Sequence, residues 1–158
     1  MSTTMVTPDQ DTIVSEIQIA APPERVFQAL TKTDELSRWF GSPECPLKFW
    51  KMDARLGGHY GYATEKGKIV VNNVNQFECE GDILEFDPPR LLAYTWIANW
   101  HDQKNQSTVV RWELSPASGG THVKVTHSGL ATLPVARKDY SGGWPGVMLM
   151  LKNFAEAN

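Results

Sequence analysis

The strongest apolar pattern lies at the end of the chain. From Trp144 onward, Val147, Met148, Leu151, Phe154 and Ala155 recur at helical spacing and predict one long helix. Gly142 and Gly143 free the backbone just before it. Pro145 suits a first helical turn, where its missing N–H would have no partner in any case. Leu149 and Met150 widen the apolar arc, leaving Lys152, Asn153, Glu156 and Asn158 to mark a wet side. A helix apolar over so much of its circumference needs a large partner. The strand-rich middle of the chain is the candidate.

Period two governs most of the remaining apolar positions. Residues 12–20 carry Ile13, Ile17 and Ile19 and read as a strand. Pro22, Pro23 and Glu24 form a helix-start signal, followed by a face of Val26, Phe27 and Leu30. A second short helix, capped by Thr33 or Asp34, presents Leu36, Trp39 and Phe40 and ends at Gly41. Strands then follow near 47–52, 59–63, 75–83, 91–99, 107–115 and 121–128. Their shared faces carry Tyr60 with Tyr62, Phe77 with Cys79, Tyr94 with Trp96, Val110 with Trp112, and Val125 with His127. Residues 69–76, an apolar triplet followed by an Asn-rich patch, fit neither rhythm. Asp87-Pro-Pro-Arg90 is a turn that a central strand would not hold. Residues 100–106 read as a polar hairpin loop, 129–140 as a long connection, and 1–11 as a disordered tail. The order is strand, two short helices, a run of strands and a long helix. That predicts an α+β fold rather than a βαβ parallel sheet, with residues 12–158 as one domain.

This order resembles the START-like, birch-pollen-allergen-like (SRPBCC) superfamily. Within it, the chain is most similar to the C-terminal domain of the activator of the heat-shock-protein-90 ATPase. The residues that carry the resemblance are Ala21-Pro-Pro-Glu-Arg-Val-Phe-Gln-Ala-Leu30, Glu35-Leu-Ser-Arg-Trp-Phe40, Gly57-Gly58, Gly81-Asp-Ile-Leu-Glu-Phe-Asp-Pro-Pro-Arg90, Leu92-Ala-Tyr-Thr-Trp96, His127-Ser-Gly-Leu130 and Gly143-Trp144. Glu65 to Asn73 departs from the pattern, being long and Asn-rich for a plain hairpin. The resemblance implies a helix-grip fold: a curved antiparallel sheet of six to seven strands wrapped around the C-terminal helix, enclosing an apolar cavity. It also implies binding of a small hydrophobic or aromatic molecule in that cavity, as a carrier or sensor, with lipid binding among the roles of such folds. Two alternatives come with it. One is a cyclase- or hydrolase-like enzyme using His127 and the pocket tyrosines; the other is a chaperone contact of the activator's kind, with a place in stress response. The eukaryotic activator engages the chaperone through a separate N-terminal domain, for which this sequence has no room. Fold likeness alone does not choose among these.

Composition narrows the field. A chain of 158 residues, 41% hydrophobic and 21% charged, is long enough to bury a real core. A net charge of −3 argues against a nucleic-acid surface. No apolar run approaches the roughly 20 residues of a membrane span. The first dozen residues lack an apolar signal core, which predicts a cytoplasmic protein, as monomer or homodimer. Cys45 and Cys79 are expected as free thiols.

The aromatic residues carry the candidate site. If the alternation holds, Tyr60, Tyr62, Phe77, Trp96, Val110, Trp112 and His127 face the last helix. Trp39 and Phe40 join them from the second short helix, and Trp144, Met148 and Leu151 from the last. Each residue taken singly reads as core packing. As a set, they read as the walls of a cavity of about 300–1,000 Å³. His127 has two readings: a ligand or acid–base group inside the pocket, or a structural histidine whose nitrogens are satisfied by neighbours. His59, His101 and His122 make no CxxC, HxH or HExxH pattern with the cysteines, so neither metal nor cofactor is expected. No Gly-x-Ser-x-Gly elbow is present, and no catalytic residue is assigned. Glu85 and Arg90 flank the Pro-Pro turn within reach of each other, and a pair there reads as a structural or surface ion pair worth under about 1 kcal/mol if exposed.

Overall fold

The structure is a computed structural model that describes residues 2–157. Met1 of the expected tail and Asn158 of the expected helix lie outside them. The elements in chain order are β1 (Thr3–Val6), β2 (Ile13–Ile19), α1 (Pro23–Thr31), α2 (Thr33–Trp39), β3 (Leu47–Met52), β4 (His59–Thr64), β5 (Glu78–Asp87), β6 (Leu91–Ala98), β7 (Ser107–Ala117), β8 (Gly120–Ser128) and α3 (Pro134–Ala157). The strands form one antiparallel sheet of eight in the order β1-β2-β8-β7-β6-β5-β4-β3. This is the α+β helix-grip arrangement, with α3 against the sheet's inner face.

Alternation places the core. On β7, Val110, Trp112 and Leu114 are buried while Arg111 and Glu113 point away. Directly opposite on β8 stand His127, Val125 and Val123. Because residues facing each other across a ladder share a side of the sheet, these six build one apolar floor. Trp96 and Tyr94 extend it on β6, and Tyr60 and Tyr62 on β4. At α1, Pro22 is the N-cap and Pro23 the first helical residue, as the sequence pattern predicts.

Several expectations are corrected. The segment read as a disordered tail contains β1, which pairs with β2 from Thr3↔Glu16 to Val6↔Ile13. Four residues, Thr3-Thr-Met-Val6, are too short a run to signal a strand locally; their partner lies elsewhere in the chain. This strand raises the count from six or seven to eight. Thr33 does not cap α2 with its side chain; its hydroxyl instead accepts the Met52 N–H at 3.0 Å. Residues 69–76 form no strand. Val71 bridges Val74 around Asn72 and Asn73, both in the left-handed region that asparagine tolerates. Arg90 pairs with Asp87, and Glu85 pairs with Arg111 at 3.1 Å, so a pair of Glu85 with Arg90 across the turn does not form.

The largest correction concerns α3. It begins at Pro134 and runs 24 residues, straight through Gly142, Gly143 and Pro145. Residues 134–140 of the expected connection are therefore its first two turns, and Pro145 lies in its interior. Asp102, from the loop after β6, accepts the N–H groups of Val135 and Ala136, both at 2.9 Å. Burial opposes the charge of Asp102, but these donors hold its carboxyl below the usual range. Its cap therefore comes from a distant loop. The buried stripe is Ala136, Tyr140, Trp144, Met148, Leu151 and Ala155, narrower than the sequence suggests; Leu149 is 52% exposed.

Candidate functional site

Open space lies between α3 and the sheet near Phe40, Tyr62 and Trp100. Two cavities of about 240 and 140 Å³ adjoin there and share Phe40, Tyr62, Trp100, Asp139, Gly143 and Val147 as walls. The inner one is floored by Trp96, Tyr140 and Trp144. The outer one reaches Ser42, Cys45, Ile69 and Phe77. Gly143 sits on the helix over this cleft, and a Cβ built there would meet no heavy atom within 4 Å. A wider dip of about 410 Å³ lies around Gly61, between Phe49, Lys51, His59 and Glu80. It lies beside exposed pairs such as His59–Glu80, and its walls are more polar than those of the cleft.

The cleft gathers some of the sequence-predicted residues and leaves others in the core. Phe40, Tyr62, Phe77, Trp96 and Trp144 line it. Trp39 is buried away from it, its indole donating to the Ala29 carbonyl at 2.8 Å. The Tyr60 hydroxyl donates to the Thr95 carbonyl at 2.7 Å. Val110, Trp112, His127, Met148 and Leu151 are at most 2% exposed and border neither cavity. The middle of the grip, where the sequence places a void, is filled.

His127 lies in a closed hydrogen-bond network. The Trp144 indole can only donate, so His127 Nδ1, at 3.2 Å, accepts. Nε2 then carries the proton and donates to the Thr108 hydroxyl at 2.7 Å, which donates onward to the Trp96 carbonyl at 3.0 Å. A parallel chain uses His101. Its Nδ1–H donates to the Gln106 carbonyl, Nε2 accepts from the Tyr140 hydroxyl, and that oxygen accepts from the Trp96 indole. Burial, then the neighbouring His101, lower the His127 pKa to about 3. Burial also lowers that of His101.

The sign of this shift predicts an acid weakness. Between pH 6.5 and about 3 the unfolded chain protonates at His127 while the folded chain does not. Stability is therefore complete above pH 6.5 and falls as pH drops, by roughly 2 kcal/mol at pH 5 from this residue alone. Urea melts at pH 7 and 5 should show a steeper loss for wild type than for His127→Gln. Equal slopes would mean that His127 protonates in the folded state.

Asp139 is the polar feature of the cleft itself. It is half-buried, and burial raises its carboxyl above the usual value; the neighbouring Trp100 indole partly offsets this. The Trp100 Nε1–H is nonetheless buried without a hydrogen bond of regular geometry. Burial likewise pushes the Cys45 thiol up, and both Cys45 and Cys79 are free. No group of His, Cys, Asp and Glu among the described residues is placed to hold a metal ion. No helix among them is long and apolar enough to cross a membrane.

Residues 20–156 match the family described as Activator of Hsp90 ATPase homolog 1-like protein. The chain belongs to that family. Its fold recurs in solved structures of relatives. A Mesorhizobium loti protein is 26% identical, with a TM-score of 0.70 over 93% of this chain and 98% of that one. An AHSA1-like protein from Aeromonas hydrophila is 22% identical, with a TM-score of 0.71 over 92% of both chains. A Rhodobacter sphaeroides protein is 17% identical, with a TM-score of 0.77 over 99% of this chain and 96% of that one. No curated protein matches the chain.

For this member of the Hsp90-activator-like family, several wall residues escape the sequence pattern, Trp100, Asp139, Tyr140 and Val147 among them. Tyr140 and Ala136 continue the Trp144–Met148 spacing backward by four and eight, so that signal was available. Gly142, Gly143 and Pro145 mask it, since each disfavours a helix interior. Trp100 sits among polar loop residues and carries no positional signal.

Proposed function

We propose that this protein binds a small apolar molecule in the cleft between α3 and the β4–β6 wall, as a carrier or sensor. The observation that carries this reading is the ring-lined space beneath Gly143, where a side chain is missing and nothing else fills the gap. Apolar pockets with few polar groups are the usual form of small-ligand sites. The engagement of both ring nitrogens of His127 favours binding over the cyclase- or hydrolase-like alternative, which relied on that residue.

Gly143→Leu tests the reading without damaging the core. Replacing a helix-interior glycine gains roughly 1 kcal/mol of helix propensity, and the new side chain has room. The variant is expected to melt at or above the wild-type temperature. A fluorescent naphthalene probe that binds wild type should bind the variant about tenfold more weakly or worse, a loss of about 1.4 kcal/mol. Equal binding by the two proteins would remove the cleft from consideration.

A further inference from the structure

Resting on that cleft reading, we infer that its ligand carries a positive charge: an ammonium group on an aromatic or alicyclic body. The charge inventory of the walls points this way. Asp139 borders both cavities, and no Lys, Arg or His side chain lines either of them. Among the described residues, Asp139 belongs to no ion pair. A half-buried carboxylate without a cation is an incomplete arrangement, because buried charges are normally paired.

The rings around it act in the same direction. Phe40, Tyr62, Trp96, Trp100 and Trp144 line the inner cavity, beside Asp139. Aromatic faces attract cations through their quadrupole, tryptophan most strongly, and more so where water is excluded. Trp100 stands beside Asp139, so a ligand nitrogen near that carboxylate is also near an indole. A carboxylate- or phosphate-bearing ligand would meet the opposite situation: a like charge and no cationic partner. Fatty acids and phospholipids are therefore the wrong class, and amines the right one.

Three probes of one shape separate the ideas: 2-naphthylmethylammonium, 2-naphthylmethanol and 2-naphthoate, titrated calorimetrically into the full chain at neutral pH. Wild type is expected to bind the ammonium about tenfold or more tighter than the carboxylate, with the alcohol between them. In Asp139→Asn, a near-isosteric change, the ammonium should lose its advantage over the alcohol. Raised salt should weaken the ammonium and leave the alcohol unaffected. If the alcohol binds but the carboxylate matches the ammonium, the charge assignment is overturned and the cleft reading survives. An unaltered ammonium affinity in folded Asp139→Asn also overturns it. If none of the three binds wild type, the cleft reading falls and takes this inference with it. The wild-type ranking alone decides the matter should the variant fail to fold.

Discussion

Trp112→Ala is expected to remove about 3–5 kcal/mol of stability, as large aromatic truncations in closed cores do. Trp112 sits on β7 between Leu92 of β6 and Val125 of β8, and is 2% exposed. Its ring meets Trp144 edge-on at 5.7 Å, and its indole donates to the Tyr94 hydroxyl at 2.9 Å. Truncation would leave a dry void and strip a buried hydroxyl of its donor. The surrounding sheet cannot collapse into the gap, because ladders on both sides fix the backbone. Trp96→Ala provides the contrast. Its ring already borders open space, so less packing is lost, while probe binding should suffer more. Urea melts read beside probe titrations would show the two residues diverging. A loss under about 1 kcal/mol for Trp112→Ala would show that its surroundings are not closed.

Met148→Trp is expected to destabilise by about 1–3 kcal/mol or more, the usual result of overpacking. The sequence pattern suggests the reverse, since a methionine on the gripped face of a long helix reads as the flexible lining of a cavity. In the structure Met148 has no exposed surface and borders no open space. Val147 is its natural control. One residue away, half-buried, it lines both cavities. Val147→Trp should cost little stability and abolish probe binding. If thermal melts instead show Met148→Trp stable and Val147→Trp unfolded, the open space has been placed on the wrong side of the helix.

The comparison of these positions shows how far the sequence reaches. Parity along β6 and β7 correctly puts Trp96 and Trp112 on the inner face. Parity says which way a side chain points, not whether the space opposite is occupied. Trp96 borders the gap left by Gly143, whereas Trp112 does not. That distinction depends on the rotation and extent of α3, which two glycines and a proline obscure. Asp102 stabilises the helix start from another loop, a contact outside the range of any local pattern. The same limit explains β1: a short edge strand exists only because β2 is there to pair with it. Where partners are sequential or apolar spacing is strict, as in β7 with β8, the pattern and the structure agree.

The pairing of β1 gives residues 2–11 a protective role. With them in place, one rim of the sheet is a four-residue strand. The other is β3, which carries Lys48 and Lys51 and a bulge between Leu47 and Phe49. Short rims, lysines and bulges all discourage strand addition by a second molecule. Asp11 also clasps the passage into α3: its carbonyl takes the Leu130 N–H at 2.9 Å and its carboxylate the Gly129 N–H at 3.2 Å. A chain trimmed to begin at Thr12 would keep every core residue and still be a different material. Its new rim would be the seven-residue, isoleucine-rich β2, a template for aggregation, and the seam leading into α3 would have lost its fastening.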